Sequence, residues 1–241
     1  MTALVGAELL KARTTRTAFA LALGLLAIVA LFVTVQVFTV DYDRTSTPTR
    51  DTLDATVFAP FFALLFGILA TTGEWRHGTI SQTFLVTPRR EHVVAAKVVS
   101  GALVGVALAA VASALALLIA VIGVPSQGGT LDGGEAAGFV AKLVLGGVLW
   151  GALGAAIGGV LSNQIGAVIA TLVELFVVES IVVGIRPNVG QWLPGQAMFN
   201  GVLAHGGGDH LSAGAGTLVT LAYVAAFAAA AALLVPRRDV T

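Results

Sequence analysis

Long uncharged apolar runs alternate with short polar segments along the chain. Residues 18–40 form the first run, which carries no charge and is long enough to cross a bilayer as a helix. Residues 41–54 are polar and mostly acidic, with Asp41, Asp43, Asp51 and Asp54 against Arg44 and Arg50. Further runs cover residues 55–73 and 98–124, the former with Pro60 near its start, where a helix tolerates proline best. Residues 143–173 make one uncharged stretch too long for a single ordinary span, and Ser162-Asn163-Gln164 is its natural break. That break gives spans at about 138–161 and 165–185, and a sixth run follows at about 214–235. The pattern predicts an all-α membrane protein, one transmembrane domain over residues 1–241 with six transmembrane helices.

Composition agrees. Of 241 residues, 57% are apolar and 11% charged, and the mean hydropathy is +0.94. A soluble domain carries about 25% charged residues, and a lipid solvent removes the need to hide so much apolar surface. There is no cysteine, hence no disulfide, thiolate metal site or cysteine nucleophile. Lys11, Arg13 and Arg16 precede the first run, which is too long for a signal-peptide core and lacks a following A-x-A site, so it reads as a retained helix. Residues 1–17 read as an interfacial helix or a basic anchor flank.

Lys and Arg set the expected orientation. Lys11, Arg13, Arg16, Arg76, Arg89, Arg90, Lys97, Arg237 and Arg238 fall on one side; Arg44, Arg50, Lys142 and Arg186 fall on the other. Nine against four places both termini and the basic 74–97 loop in the cytoplasm. The Gly-rich 125–137 loop and the semi-apolar 186–213 segment are then extracellular. The latter, with Trp192, Leu193, Met198 and Phe199, reads as a short helix at the membrane surface, partly re-entrant.

Candidate chemistry is sparse. Lys11, Lys97 and Lys142 are followed by Ala, Val and Leu, so no phosphate-binding G-x-x-x-x-G-K-[ST] loop exists and ATP hydrolysis would belong to another chain. Neither G-x-S-x-G nor H-E-x-x-H occurs, no enzyme is indicated, and no nucleic-acid partner is expected. His205, Asp209 and His210 are metal-ligand types, but three glycines between them read as a flexible tip, and no metal is expected. Glu174 and Glu179 lie within the fifth span, where an ionised carboxylate must be paired, hydrated or protonated. Five residues apart, they stand about 140° apart on an ideal helix, so no dyad on one face is expected. Gln36 on the first span is the most obvious polar partner for them. Gly147, Gly151, Gly154 and Gly158 have small-xxx-small spacing, as have Gly101 and Gly105, which lets helices approach closely within or between subunits.

The 74–97 loop holds Arg76, Arg89, Arg90 and Lys97 with His77 and His92. Thr87-Pro88 reads as an N-cap and first helical residue leading into the third span. Gly78-Thr79 can begin a shorter helix over 80–86, on which Ile80 and Phe84 share a face. Such a helix can lie on anionic lipid or dock in a groove of a partner protein.

Here the chain resembles the permease subunits of bacterial ABC-2 type transporters. Glu74, Gly78-Thr79-Ile80, Leu85, Pro88, Arg90 and Lys97 match that family's loop pattern. Glu8-Leu9-Leu10-Lys11, Glu179 late in span five and Leu193-Pro194-Gly195 are also similar to it. Arg89 stands where the family usually has a small residue. The resemblance implies an ABC-2 (type V exporter-like) architecture in a bacterial cytoplasmic membrane. It implies a homodimer or close heterodimer of permeases with two copies of a separate ATPase subunit that holds ATP and Mg. It implies a coupling helix near 78–87, an interfacial N-terminal helix, a Glu74 pair with Arg13 or Arg16, and export of a hydrophobic or amphipathic drug, lipid or peptide. The competing expectation is a proton-coupled secondary transporter or channel using Glu174 and Glu179, although span five shows no break and no internal repeat is evident.

Overall fold

An apolar run in lipid must satisfy its backbone N–H and C=O groups within itself, which makes each run a helix. The structure, a computed structural model, describes residues 1–42, 45, 47–203 and 211–235, and its regular elements are all helical. They are α1 (Thr2–Thr14), α2 (Arg16–Thr39), α3 (Pro48–Leu53), a 3₁₀ turn (Asp54–Val57), α4 (Phe58–Arg76), α5 (Ile80–Val86), α6 (Arg90–Ser126) and α7 (Gly133–Val160). Next come α8 (Gln164–Val173), a π turn (Glu174–Val178), α9 (Glu179–Ile185), α10 (Pro187–Gly190), α11 (Pro194–Gln196), a second π turn (Ala197–Val202) and α12 (Ala213–Leu234). Among the described residues, six helical stretches are long and apolar enough to cross a membrane: Arg16–Thr39, Pro48–Arg76, Arg90–Ser126, Gly133–Val160, Gln164–Ile185 and Ala213–Leu234. The protein is a multi-pass membrane protein.

Side chains fix three of the helix starts. Asp132 accepts from Glu135 N at 2.7 Å at the start of α7, Asn163 from Gly166 N at 2.8 Å at the start of α8, and Ser212 from Ala215 N at 3.3 Å at the start of α12. Asn163 is thus the break in the 143–173 run. At α6 the reading differs. Thr87 and Pro88 do not cap it; Thr87 lies outside helical backbone (φ −127°, ψ 89°) and α6 starts at Arg90, two residues after Pro88. Pro88 itself disfavours helical backbone in the residue before it, so Thr87 closes α5 by bonding back to Thr83 O at 2.9 Å.

α7 is the central helix, with α4 and α6 packed along it. Its glycines make that possible, because with lipid outside the bundle close backbone approach replaces hydrophobic drive. Gly147 lies on Gly105, Gly151 on Gly101, Gly154 on the Leu64 backbone, and Gly158 beside Thr71, whose Cβ would be 2.8 Å from an added methyl. All four therefore pack within this one chain. Along α2, α8 and α12 large apolar side chains such as Leu23, Ile165 and Leu218 point outward.

The segment after α9 turns inward rather than lying only at a surface. Met198 and Leu203 are fully buried, and the Phe199 ring meets Trp150 of α7 edge-on at 5.0 Å. His205, Asp209, His210, Asp43, Arg44, Arg237 and Arg238 fall outside the described residues.

Candidate functional site

Two polar assemblies interrupt this apolar bundle. The first joins α1, α4 and α6. Three residues apart on α1, Glu8 and Lys11 share a face, and their side chains meet at 2.7 Å. Lys11 Nζ also reaches Glu74 Oε1 at 2.8 Å, Glu74 Oε1 meets Lys97 Nζ at 2.8 Å, and Lys97 Nζ returns to Glu8 Oε2 at 2.9 Å. The four side chains form a closed ring of alternating sign. Only Lys11 is substantially exposed; the Lys97 side chain is 5% exposed. Burial alone would push the Glu8 carboxyl up, but the Lys97 charge and the bonds from both lysines outweigh it and hold it below its ordinary value. Burial alone would push Lys11 down, but its hydrogen bonds to Glu74 and Glu8 and their charges raise it above its ordinary value.

This ring corrects the expected partner of Glu74. Arg13 and Arg16 do not take that place; Lys11 and Lys97 do. Arg13 stands about 200° round α1 from Lys11, and both arginines are exposed. The Glu8–Lys11 spacing was visible in the sequence. The closure through Lys97, 89 residues from Glu8, had no local signal.

In the chain, Glu74 and Lys97 bracket the segment that carries α5. Gly78, with φ +68°, reverses the chain after α4 in a conformation that glycine adopts without strain. Thr79 precedes α5 without a side-chain cap. Ile80 and Phe84 face inward, buried with Val93, Val94, Ala231 and Val235, and Trp75 meets Phe84 edge-on at 6.2 Å. Arg90 lies over the Phe84 ring at 4.6 Å and donates to Val235 O at 3.2 Å. The opposite side of α5 is bare: Leu85 is 82% and Val86 83% exposed, continued by exposed Pro88 and Arg89. The apolar pair that the spacing singled out, Ile80 and Phe84, thus anchors α5 to its own chain, and the outward apolar surface is Leu85 and Val86.

The second assembly lies on the fifth span. The π turn closes an i to i+5 bond from Glu179 N to Glu174 O. The wider turn narrows the 140° separation expected of an ideal helix, and the two carboxyl groups become neighbours. Glu179 is 1% exposed. Its Oε1 accepts from Gly195 N at 2.6 Å and its Oε2 from Gln196 N at 3.0 Å. The late glutamate of span five therefore caps the first turn after Leu193-Pro194. A Cβ on Gly195 would sit 2.5 Å from Glu179 Oε2, so a side chain there would have to displace the carboxyl. Gln36 is not the partner of these carboxyls: its Oε1 accepts from Ala55 N at 3.4 Å beside the acidic segment. Among the described residues no three His, Asp or Glu side chains gather as a metal site.

Comparison with protein-family models and with curated proteins finds no match for this chain.

Proposed function

We propose that the chain is the permease subunit of an ATP-binding-cassette exporter of the ABC-2 type, with α5 as its coupling helix. The observation that carries the reading is the form of α5. It is a two-turn helix pinned inward by Ile80 and Phe84, with Leu85 and Val86 more than 80% exposed beside Pro88 and Arg89. Exposed apolar residues on a short, braced helix suit a groove in a partner protein better than bulk water. The reading places α5, both termini and the Glu8–Lys11–Glu74–Lys97 ring in the cytoplasm of a bacterial cell, and the chain in its cytoplasmic membrane.

In this account two ATPase subunits, which hold ATP and Mg, receive two coupling helices from a permease dimer. ATP closes the ATPase pair and α5 moves with it. The ring makes α1 travel with the ends of α4 and α6, so the displacement enters the span as a rigid-body motion rather than a local bend. A pathway at the permease dimer interface then opens toward the outside, and the apolar spans suit a hydrophobic or amphipathic substrate.

The test is a mild-detergent pull-down of the tagged protein from its native membrane, with mass spectrometry of what accompanies it. Wild type should recover an ABC-type ATPase, and Leu85→Asp or Val86→Asp should lose it while the permease stays intact. Recovery of intact permease without any ATPase would overturn the reading.

One observation favours a second reading. The π turn unites Glu174 and Glu179 within a membrane-spanning segment, where a carboxyl pair can exchange a proton. A proton-coupled transporter would then need no ATPase.

A further inference from the structure

The last membrane helix ends beside α5. The final turn of any helix leaves carbonyls without intrahelical donors, at the negative end of its dipole. Val235 O is such a carbonyl, and Arg90 Nη1 donates to it at 3.2 Å. The guanidinium of the same side chain lies 4.6 Å from the Phe84 ring centroid, in cation–π range. One side chain therefore holds two elements at once: the inward anchor of α5 and the end of α12. A cavity of about 10 Å³ lies between Phe84, Val235 and Gly159, which leaves the ring slight freedom to shift.

We propose that Arg90 is a positioning residue that yokes α5 to the end of α12, so that displacement of α5 moves α12 as well as α4 and α6. By sequence, α5 is joined only to α4 and α6. Displacement of α5 pulls on the Arg90–Phe84 contact, and displacement of the end of α12 pulls on the Arg90–Val235 bond. An energetic link of this kind is reciprocal: the free energy by which an undocked α12 loosens α5 equals that by which an undocked α5 loosens α12. Its use in transport rests on the coupling-helix reading above, whereas the link itself can be tested without an ATPase or a substrate.

The test is amide hydrogen exchange on the full-length protein in lipid nanodiscs. Arg90→Gln should raise exchange about five-fold in both residues 80–86 and residues 229–235, leaving residues 147–158 of α7 unchanged. Leu233 is 63% exposed and faces away from the cluster, so Leu233→Gly loosens the end of α12 without touching α5. In the wild-type background it should raise exchange of residues 80–86 about three-fold, and in Arg90→Gln by a clearly smaller factor, because only the Ile80 and Phe84 contacts with Ala231 and Val235 then join the two elements. Equal increments in both backgrounds, or no change in residues 80–86 with Leu233→Gly, would overturn the link. Co-recovery of an ATPase tests the docking reading separately, so the two failures can be told apart.

Discussion

Lys97 Nζ lies 2.8 Å from Glu74 Oε1 with both side chains almost fully out of solvent. Removing one member of a buried pair strands the other charge and costs about 3–5 kcal/mol. Lys97→Met and Glu74→Gln should each lower stability on that scale in a detergent unfolding titration. Because the two share one interaction, the double variant should be less destabilised than the sum by about 1–3 kcal/mol. Arg13→Gln combined with Glu74→Gln should instead be additive, because Arg13 stands outside the ring.

The ring also makes the docking of α1 depend on pH. The Glu8 carboxyl is held below its ordinary 4.5, so its contribution is present in full above that value and is lost as pH falls through the folded value. Lys11 is raised above its ordinary 10.5, so its contribution is present in full below that value and is lost as pH rises through the folded one. A fluorescent probe at Leu10 should therefore report α1 docked between about pH 5 and 10 and loosening on the acid side. In Glu8→Gln the probe should report a looser helix at neutral pH and a smaller acid transition. An acid transition of wild-type size in that variant would remove Glu8 as its cause.

Glu179 accepts from two backbone donors, the buried Gly195 N and the half-buried Gln196 N. Glu179→Ala leaves both unbonded, at about 1–3 kcal/mol each. Glu179→Gln keeps one acceptor and should lose about half as much. Gly195→Ala drives a methyl into the same carboxyl and should cost about 1–3 kcal/mol. Protease sensitivity of residues 194–203 would rank the three variants.

The glycines on α7 are not equivalent. A methyl on Gly151 would strike Gly101 O, and one on Gly147 would strike Gly105 O, both rigid backbone, whereas one on Gly138 meets nothing within 4 Å. Gly151→Ala and Gly147→Ala should each destabilise by about 1–3 kcal/mol or more, with Gly138→Ala close to neutral. Thermal unfolding in detergent decides it, and equal melting temperatures across the three would contradict the packing described.

The six spans were legible because lipid forces every long apolar run into a helix. The break at Asn163 was legible because a capping side chain follows a chemical rule. Tertiary partners were not. Glu74 read as a partner for Arg13 or Arg16 because both are cationic and close in sequence to the first span. The lysines that bond it are chosen by the helix faces that α4 and α6 turn toward α1. Glu174 and Glu179 read as 140° apart because an ideal period was assumed, and a π turn carries no composition signal of its own. Glu179 and Leu193-Pro194-Gly195 were both noticed, but their contact depends on the chain folding back into the bundle. The Ile80 and Phe84 face was seen as apolar. Nothing local could tell that the chain would bury it and leave Leu85 and Val86 outside.

The central claim is that Leu85 sits in an ATPase. A photo-crosslinking amino acid placed at Leu85, with another at outward-facing Leu118 of α6 as control, tests it in the native membrane. The account predicts an ultraviolet-dependent adduct with an ABC-type ATPase from position 85 and none from position 118. No ATPase adduct from position 85, with the protein folded and inserted, would contradict it.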